Sequence, residues 1–161
     1  MIEMVVAKLA VDASTRNYVV ILQEKDGERV LPIWIGQPEA ESIIVEMHQI
    51  AHSRPLTHDL CRSLIQTLGA QLERIDITRS EERTFSAEIH LVRACERLTV
   101  DARPSDSIAI ALRLDARLGG AWWMQVSASY KPWGATVAGH AAERMIGVVG
   151  ITRRWSSLSP L

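Results

Sequence analysis

Residues 31–40 read Leu31-Pro32-Ile33-Trp34-Ile35-Gly36-Gln37-Pro38-Glu39-Ala40. The first half is a strand in pattern, with Trp34 pointing opposite to Ile33 and Ile35, a place for it in the core or a subunit interface. The second half opens a helix. Pro38 stands where a first helical position belongs, and Ala40, Ile43, Ile44, Met47, Ile50 and Ala51 form an amphipathic stripe behind it. Upstream, residues 3–11 and 18–23 read as strands joined by a polar stretch, and the Asp26-Gly27 turn leads into a third strand over 29–35. Downstream, Arg54-Pro55 breaks the helix because proline disfavours helical geometry in the residue before it. Thr57 then caps a second helix with Leu60, Leu64 and Leu68 on one face and Gly69 as its stop. Strands near 71–78, 84–92 and 97–101 precede a third helix that starts at Pro104-Ser105 and carries Ile108, Ala109, Ala111 and Leu112. Three strands, two helices, three strands and one helix, grouped rather than strictly alternating, predict an α+β fold: a mixed, largely antiparallel sheet with three helices.

The 161 residues suit one domain with a core that needs no disulfide staples. A hydrophobic share of 47% excludes wholesale disorder, and a net charge of −1 excludes a polycation that holds nucleic acid by bulk charge. Cys61 and Cys95 form no CxxC pair and read as reduced thiols. No secretory signal and no spanning-length apolar run is seen, which points to a cytoplasmic protein away from membranes. Up to Gly120 there are 14 basic and 18 acidic residues; beyond it Lys131, Arg144, Arg153 and Arg154 face Glu143 alone, and four of the five tryptophans occur there. This shift divides the chain into a domain over 1–118 and an atypical Trp/Gly-containing basic tail over 119–161.

Three segments are more distinctive than their secondary structure requires: residues 31–40 above, Arg54-Pro55-Leu56-Thr57-His58-Asp59-Leu60, and Asp101-Ala102-Arg103-Pro104-Ser105-Asp106-Ser107-Ile108-Ala109. With Leu68-Gly69 and Thr84-Phe85-Ser86-Ala87 between them, they resemble the bifunctional nuclease family over roughly residues 3–115. That family is a bacterial and plant domain associated with cleavage of both DNA and RNA, so the resemblance implies nucleic acid substrates. After its last helix the family usually continues with a short apolar strand near a Pro-Ile pair. Here the chain runs Arg117-Leu118-Gly119-Gly120-Ala121-Trp122-Trp123 instead.

Glu39, Asp59 and Asp106 each fall in or just before the first turn of an expected helix. A carboxylate there is stabilised by exposed N–H groups and the helix dipole, by about 0.3–1 kcal/mol. The functional reading is that the three helix starts converge and, with Asp101, hold Mg²⁺ or Mn²⁺, hard cations that prefer oxygen ligands. Such an ion polarises a phosphodiester and activates water. Carboxyl groups more than roughly 8–10 Å apart could not share one ion with ligand distances of about 2.0–2.6 Å.

Arg54 and Arg103 each precede a proline that stiffens the loop, a reasonable phosphate receptor beside a helix start. The competing reading pairs each with a neighbouring carboxylate, Asp59 or Asp106. His58 is the candidate general acid or base, with Asp59 and Asp106 as its catalytic companions. His48 and His52 have i,i+4 spacing, but Gln49 replaces the glutamate of an HExxH motif. Glu46 returns to the Glu39 face and fits a rim position capped by an arginine. The leading expectation is a metal-dependent nuclease of low sequence selectivity acting on DNA and RNA, as a homo-oligomer. The alternative is a non-catalytic oligomeric module that binds a phosphorylated ligand or a partner protein.

Overall fold

The computed structural model describes residues 2–79, 85–114, 124–126 and 145–150. The chain forms β1 (Ile2–Asp12), β2 (Tyr18–Glu24), β3 (Val30–Ile35), α1 (Gln37–Met47), α2 (Thr57–Thr67), β4 (Gln71–Arg79), β5 (Phe85–Arg93), β6 (Glu96–Ala102), α3 (Pro104–Leu114), β7 (Met124–Val126) and β8 (Met145–Gly150). This is the α+β order expected from the pattern, followed by two short strands.

Two antiparallel meanders, β1-β2-β3 and β4-β5-β6, are joined edge to edge by β7, giving the order β3-β2-β1-β7-β4-β5-β6. β7 runs antiparallel to β1 and parallel to β4, while β8 pairs with the far end of β1. Strand alternation turns Leu9, Val20, Leu22, Leu31, Ile33, Ile75, Ile77 and Ala87 to one face, where Ala40 and Ile43 of α1 and Ile108, Ala109, Ala111 and Leu112 of α3 close the core. A second cluster, Ala70, Ile89, Leu91, Ile110 and Leu114, is joined by Cys61 and Ile65 of α2. No described helix is long and apolar enough to cross a membrane.

Several local expectations are corrected. Trp34 is not in the core: it is 50% exposed, and its indole N–H donates to Asp12 at 3.3 Å. α1 ends at Met47, so Ile50 and Ala51 lie outside it and are exposed. His48 is already the C-cap residue, so His48 and His52 do not share a helix face. Leu56, not Thr57, is the N-cap of α2, because the Asp59 carboxylate reaches back to accept the Leu56 N–H at 2.8 Å. Leu60, Leu64 and Leu68 do share a stripe, but it faces outward and is more than half exposed.

Candidate functional site

The first turns of α1, α2 and α3 meet on the helix-covered side of the sheet. Glu39 lies in the first turn of α1, where its carboxylate folds back over Gly36; a β-carbon at that position would collide with it. Arg103 lies between β6 and α3, stiffened by Pro104. Its Nε donates to Asp106 Oδ2 at 2.7 Å, and its Nη2 donates to Asp106 Oδ1 at 3.1 Å and to Glu39 Oε1 at 2.7 Å. One guanidinium thus joins the acidic groups of two helix starts. Asp106, then Glu39, hold its pKa above the usual arginine value. The Arg103 side chain is 68% exposed and open to exchange with solvent or a ligand, whereas Glu39 and Asp106 are more buried, at 12% and 26%.

His58 connects α2 to the same cluster. Its Nε2 is 3.3 Å from Asp106 Oδ1 and its Nδ1 is 2.8 Å from the hydroxyl of Ser42, a buried residue of α1. An ionised carboxylate only accepts, so in the neutral ring Nε2 carries the proton and Nδ1 accepts from Ser42. The imidazole is fixed at both nitrogens, with one edge directed at the acidic pair.

Beneath this cluster lies a residue that the sequence reading passed over. Arg113 has no solvent-exposed side-chain surface. Its Nε donates to Asp59 Oδ1 at 2.6 Å, Nη1 to the Ala109 carbonyl at 2.9 Å, and Nη2 to the Ser42 carbonyl at 3.1 Å. Glu46 approaches the same Nε at 4.0 Å, so the arginine that caps it is Arg113. Burial pushes the Asp59 pKa up, but the Arg113 hydrogen bond and the Leu56 N–H outweigh it, and the net shift is downward. Both Asp59 oxygens are therefore engaged, and the group ties α2 to α3. The signal was present: Arg113 is the one charge in the apolar run Ile108-Ala109-Ile110-Ala111-Leu112-Arg113-Leu114.

The four acidic residues named as ligands do not converge as a set. Glu39 and Asp106 are brought to one guanidinium, whereas Asp59 is held by Arg113. Asp101 is on the other side of the sheet: Ala102 packs in the second core cluster, alternation turns Asp101 the opposite way, and it stands across from Glu88. Among the described residues no group of three or more His, Cys, Asp or Glu side chains is placed to hold a metal ion. Two carboxylates still suit Mg²⁺ or Mn²⁺, since such ions keep several waters and take further oxygens from substrate phosphate. Arg54, in the loop before α2, is exposed and has no hydrogen bond or ion pair among the described residues.

The face bearing Asp101 holds another polar network not foreseen from sequence. Arg74 Nε donates to both oxygens of buried Asp76 at 3.1 Å, His90 Nε2 lies 2.9 Å from Asp76, and His90 Nδ1 lies 3.2 Å from the Thr99 hydroxyl.

The bifunctional nuclease domain matches residues 20–120. The chain is also similar to an uncharacterized protein of Mycobacterium tuberculosis, 45% identical over 112 residues, covering 70% of this chain and 66% of that one. It is more distantly similar to Bifunctional nuclease 2 of Oryza sativa subsp. japonica (26% identical) and Bifunctional nuclease 1 of Arabidopsis thaliana (24%), in each case over 98 residues, 58% of this chain and 30% of the plant protein. The aligned region thus spans less than two thirds of each relative.

Proposed function

The chain belongs to the bifunctional nuclease domain family, and on that premise we propose that it hydrolyses phosphodiester bonds of DNA and RNA with little sequence selectivity, aided by Mg²⁺ or Mn²⁺. The observation that carries this reading is the meeting of Glu39, His58, Arg103 and Asp106 at three helix starts. Glu39 and Asp106 would hold the ion, which when bound polarises the phosphodiester and lowers the pKa of attacking water. Arg103 exchanges its carboxylate partners for a substrate phosphate, a fork that suits either. Arg54 supplies a second cation for the flanking backbone. His58, held between Ser42 and Asp106, is the general acid or base of the site. Asp59 acts through Arg113 as a positioning residue for α2 and hence for His58.

The test is cleavage of single- and double-stranded DNA and RNA with Mg²⁺ or Mn²⁺, with and without chelator. Asp106→Asn and His58→Ala should each lower kcat by about 10²-fold or more, with unchanged far-ultraviolet circular dichroism. Absence of chelator-sensitive cleavage on every substrate overturns the proposal. The Arg103 bridge favours one other reading, a non-catalytic module in which the guanidinium binds a phosphorylated ligand. Tight nucleotide or oligonucleotide binding, lost in Arg103→Ala, without turnover would select it.

A further inference from the structure

The two ends of the sheet differ. β3 carries Pro32, which lacks an amide donor and guards that edge. β6 at the opposite end has seven residues in unbroken register with β5, contains neither proline nor lysine, and has no fully buried residue. Among the described residues no strand covers its outer edge.

We propose that β6 is the seam of a twofold-symmetric dimer, pairing antiparallel with β6 of a second copy about Thr99. Centred there, the strand is complementary to itself: Arg97 faces the partner's Asp101, Leu98 faces the partner's Val100, and Thr99 faces the partner's Thr99. Each contact except the last occurs twice, as an isologous interface requires. Opposite charges, apolar pairs and threonine pairs are the cross-strand combinations that stabilise a ladder. The side chains are available for it. Val100 is 47% exposed, and Arg97, although it contacts Glu73 through Nη2, is largely in solvent.

The neighbouring helix supports the same partner. Cys61 and Ile65 of α2 pack on the same buried cluster that takes Leu98 and Ala102 of β6. Its outward arc is Thr57, Leu60, Ser63, Leu64, Thr67 and Leu68, all of them exposed and none of them charged. A face without charge meets its own copy without like-charge repulsion. The leucines add the apolar area that a strand pair alone lacks, towards the roughly 1,000 Å² of a specific interface.

Sedimentation velocity of the full chain tests this. A concentration-dependent dimer is expected. Asp101→Arg should raise its dissociation constant by about tenfold or more through facing arginines. Within one chain that change places arginine opposite Glu88, so the monomer is not weakened. The double exchange Arg97→Asp with Asp101→Arg should restore dimerisation. Independently, Thr99→Cys in a Cys95→Ser background should oxidise to a cross-linked dimer, because directly paired strand residues lie about 4.5–5.5 Å apart. A chain that stays monomeric up to about 100 μM, a dimer indifferent to Asp101→Arg, a double exchange that fails to rescue, or a Thr99→Cys protein that does not cross-link overturns the proposal.

Discussion

Arg113 shows how one side chain can set the geometry of a site it does not enter. It is buried, yet all three of its donor nitrogens have acceptors, from Asp59, Ala109 and Ser42. Truncation to alanine would leave Asp59 without its cation and the Ser42 carbonyl without a donor. The expected cost is about 3 kcal/mol, the low end for a broken buried pair, because Asp59 is partly exposed and keeps the Leu56 N–H. Urea denaturation measures it. The pH dependence follows from the lowered pKa of Asp59. A depressed carboxylate contributes stability above its unfolded pKa and loses it as pH falls through the folded value. The difference between the native chain and Arg113→Ala should therefore be full at pH 7 and shrink below about pH 4. At this scale the sequence named His58, Arg103, Asp106 and Glu39, because each sits at a helix start marked by proline or by a break. Asp101 falls outside the cluster because strand parity decides which face a residue takes, and Leu98 and Ala102 take the inward positions of β6. The sequence reading passed over Arg113 because a lone charge in an apolar helix has no local partner to reveal its role.

The ends of α2 illustrate what an element's own residues can and cannot disclose. Its stop was legible at Gly69, and the structure supplies the reason. Gly69 has φ of 72°, its N–H bonds to Gln66 and the Ala70 N–H bonds to Ile65, so the last carbonyls are satisfied by a left-handed turn. A β-carbon at Gly69 would meet nothing within 4 Å. The penalty for Gly69→Ala is thus conformational alone, about 1 kcal/mol, with Gly69→Asn milder because asparagine tolerates this region. Chemical denaturation of both variants checks the order. The start of α2 was shifted by one residue because Asp59, rather than Thr57, makes the capping bond. The leucine stripe was legible as a period. Its direction was not, since Cys61 and Ile65 on the neighbouring arc are what pack inward.

At the scale of the molecule, three residues join the two halves of the sheet. Met124 pairs with Met4 on one side and with Ile75 on the other, and Val126 pairs with Ile2 and Ile77. Without β7 the strands β1 and β4 have no described strand between them, and among the described residues the helices packed on the sheet are what remain to link the two meanders. The grouping of strands and helices disclosed both meanders. It could not disclose their junction, because a three-residue strand has no measurable period and its partners lie far away in sequence. A chain ending at Asp115 removes β7 and β8 together and bares the facing edges of β1 and β4. Exposed strand edges lose amide protection and invite pairing with other chains. Hydrogen exchange should therefore show faster exchange in β1 and β4, while the β2–β3 and β5–β6 ladders keep their protection. Thermal unfolding of the shortened chain should broaden and shift downward, with aggregation at lower temperature. Unchanged protection in β1 and β4 would mean that the helices alone fix the relation of the two meanders, and that the segment beyond α3 adds length to the sheet without holding it together.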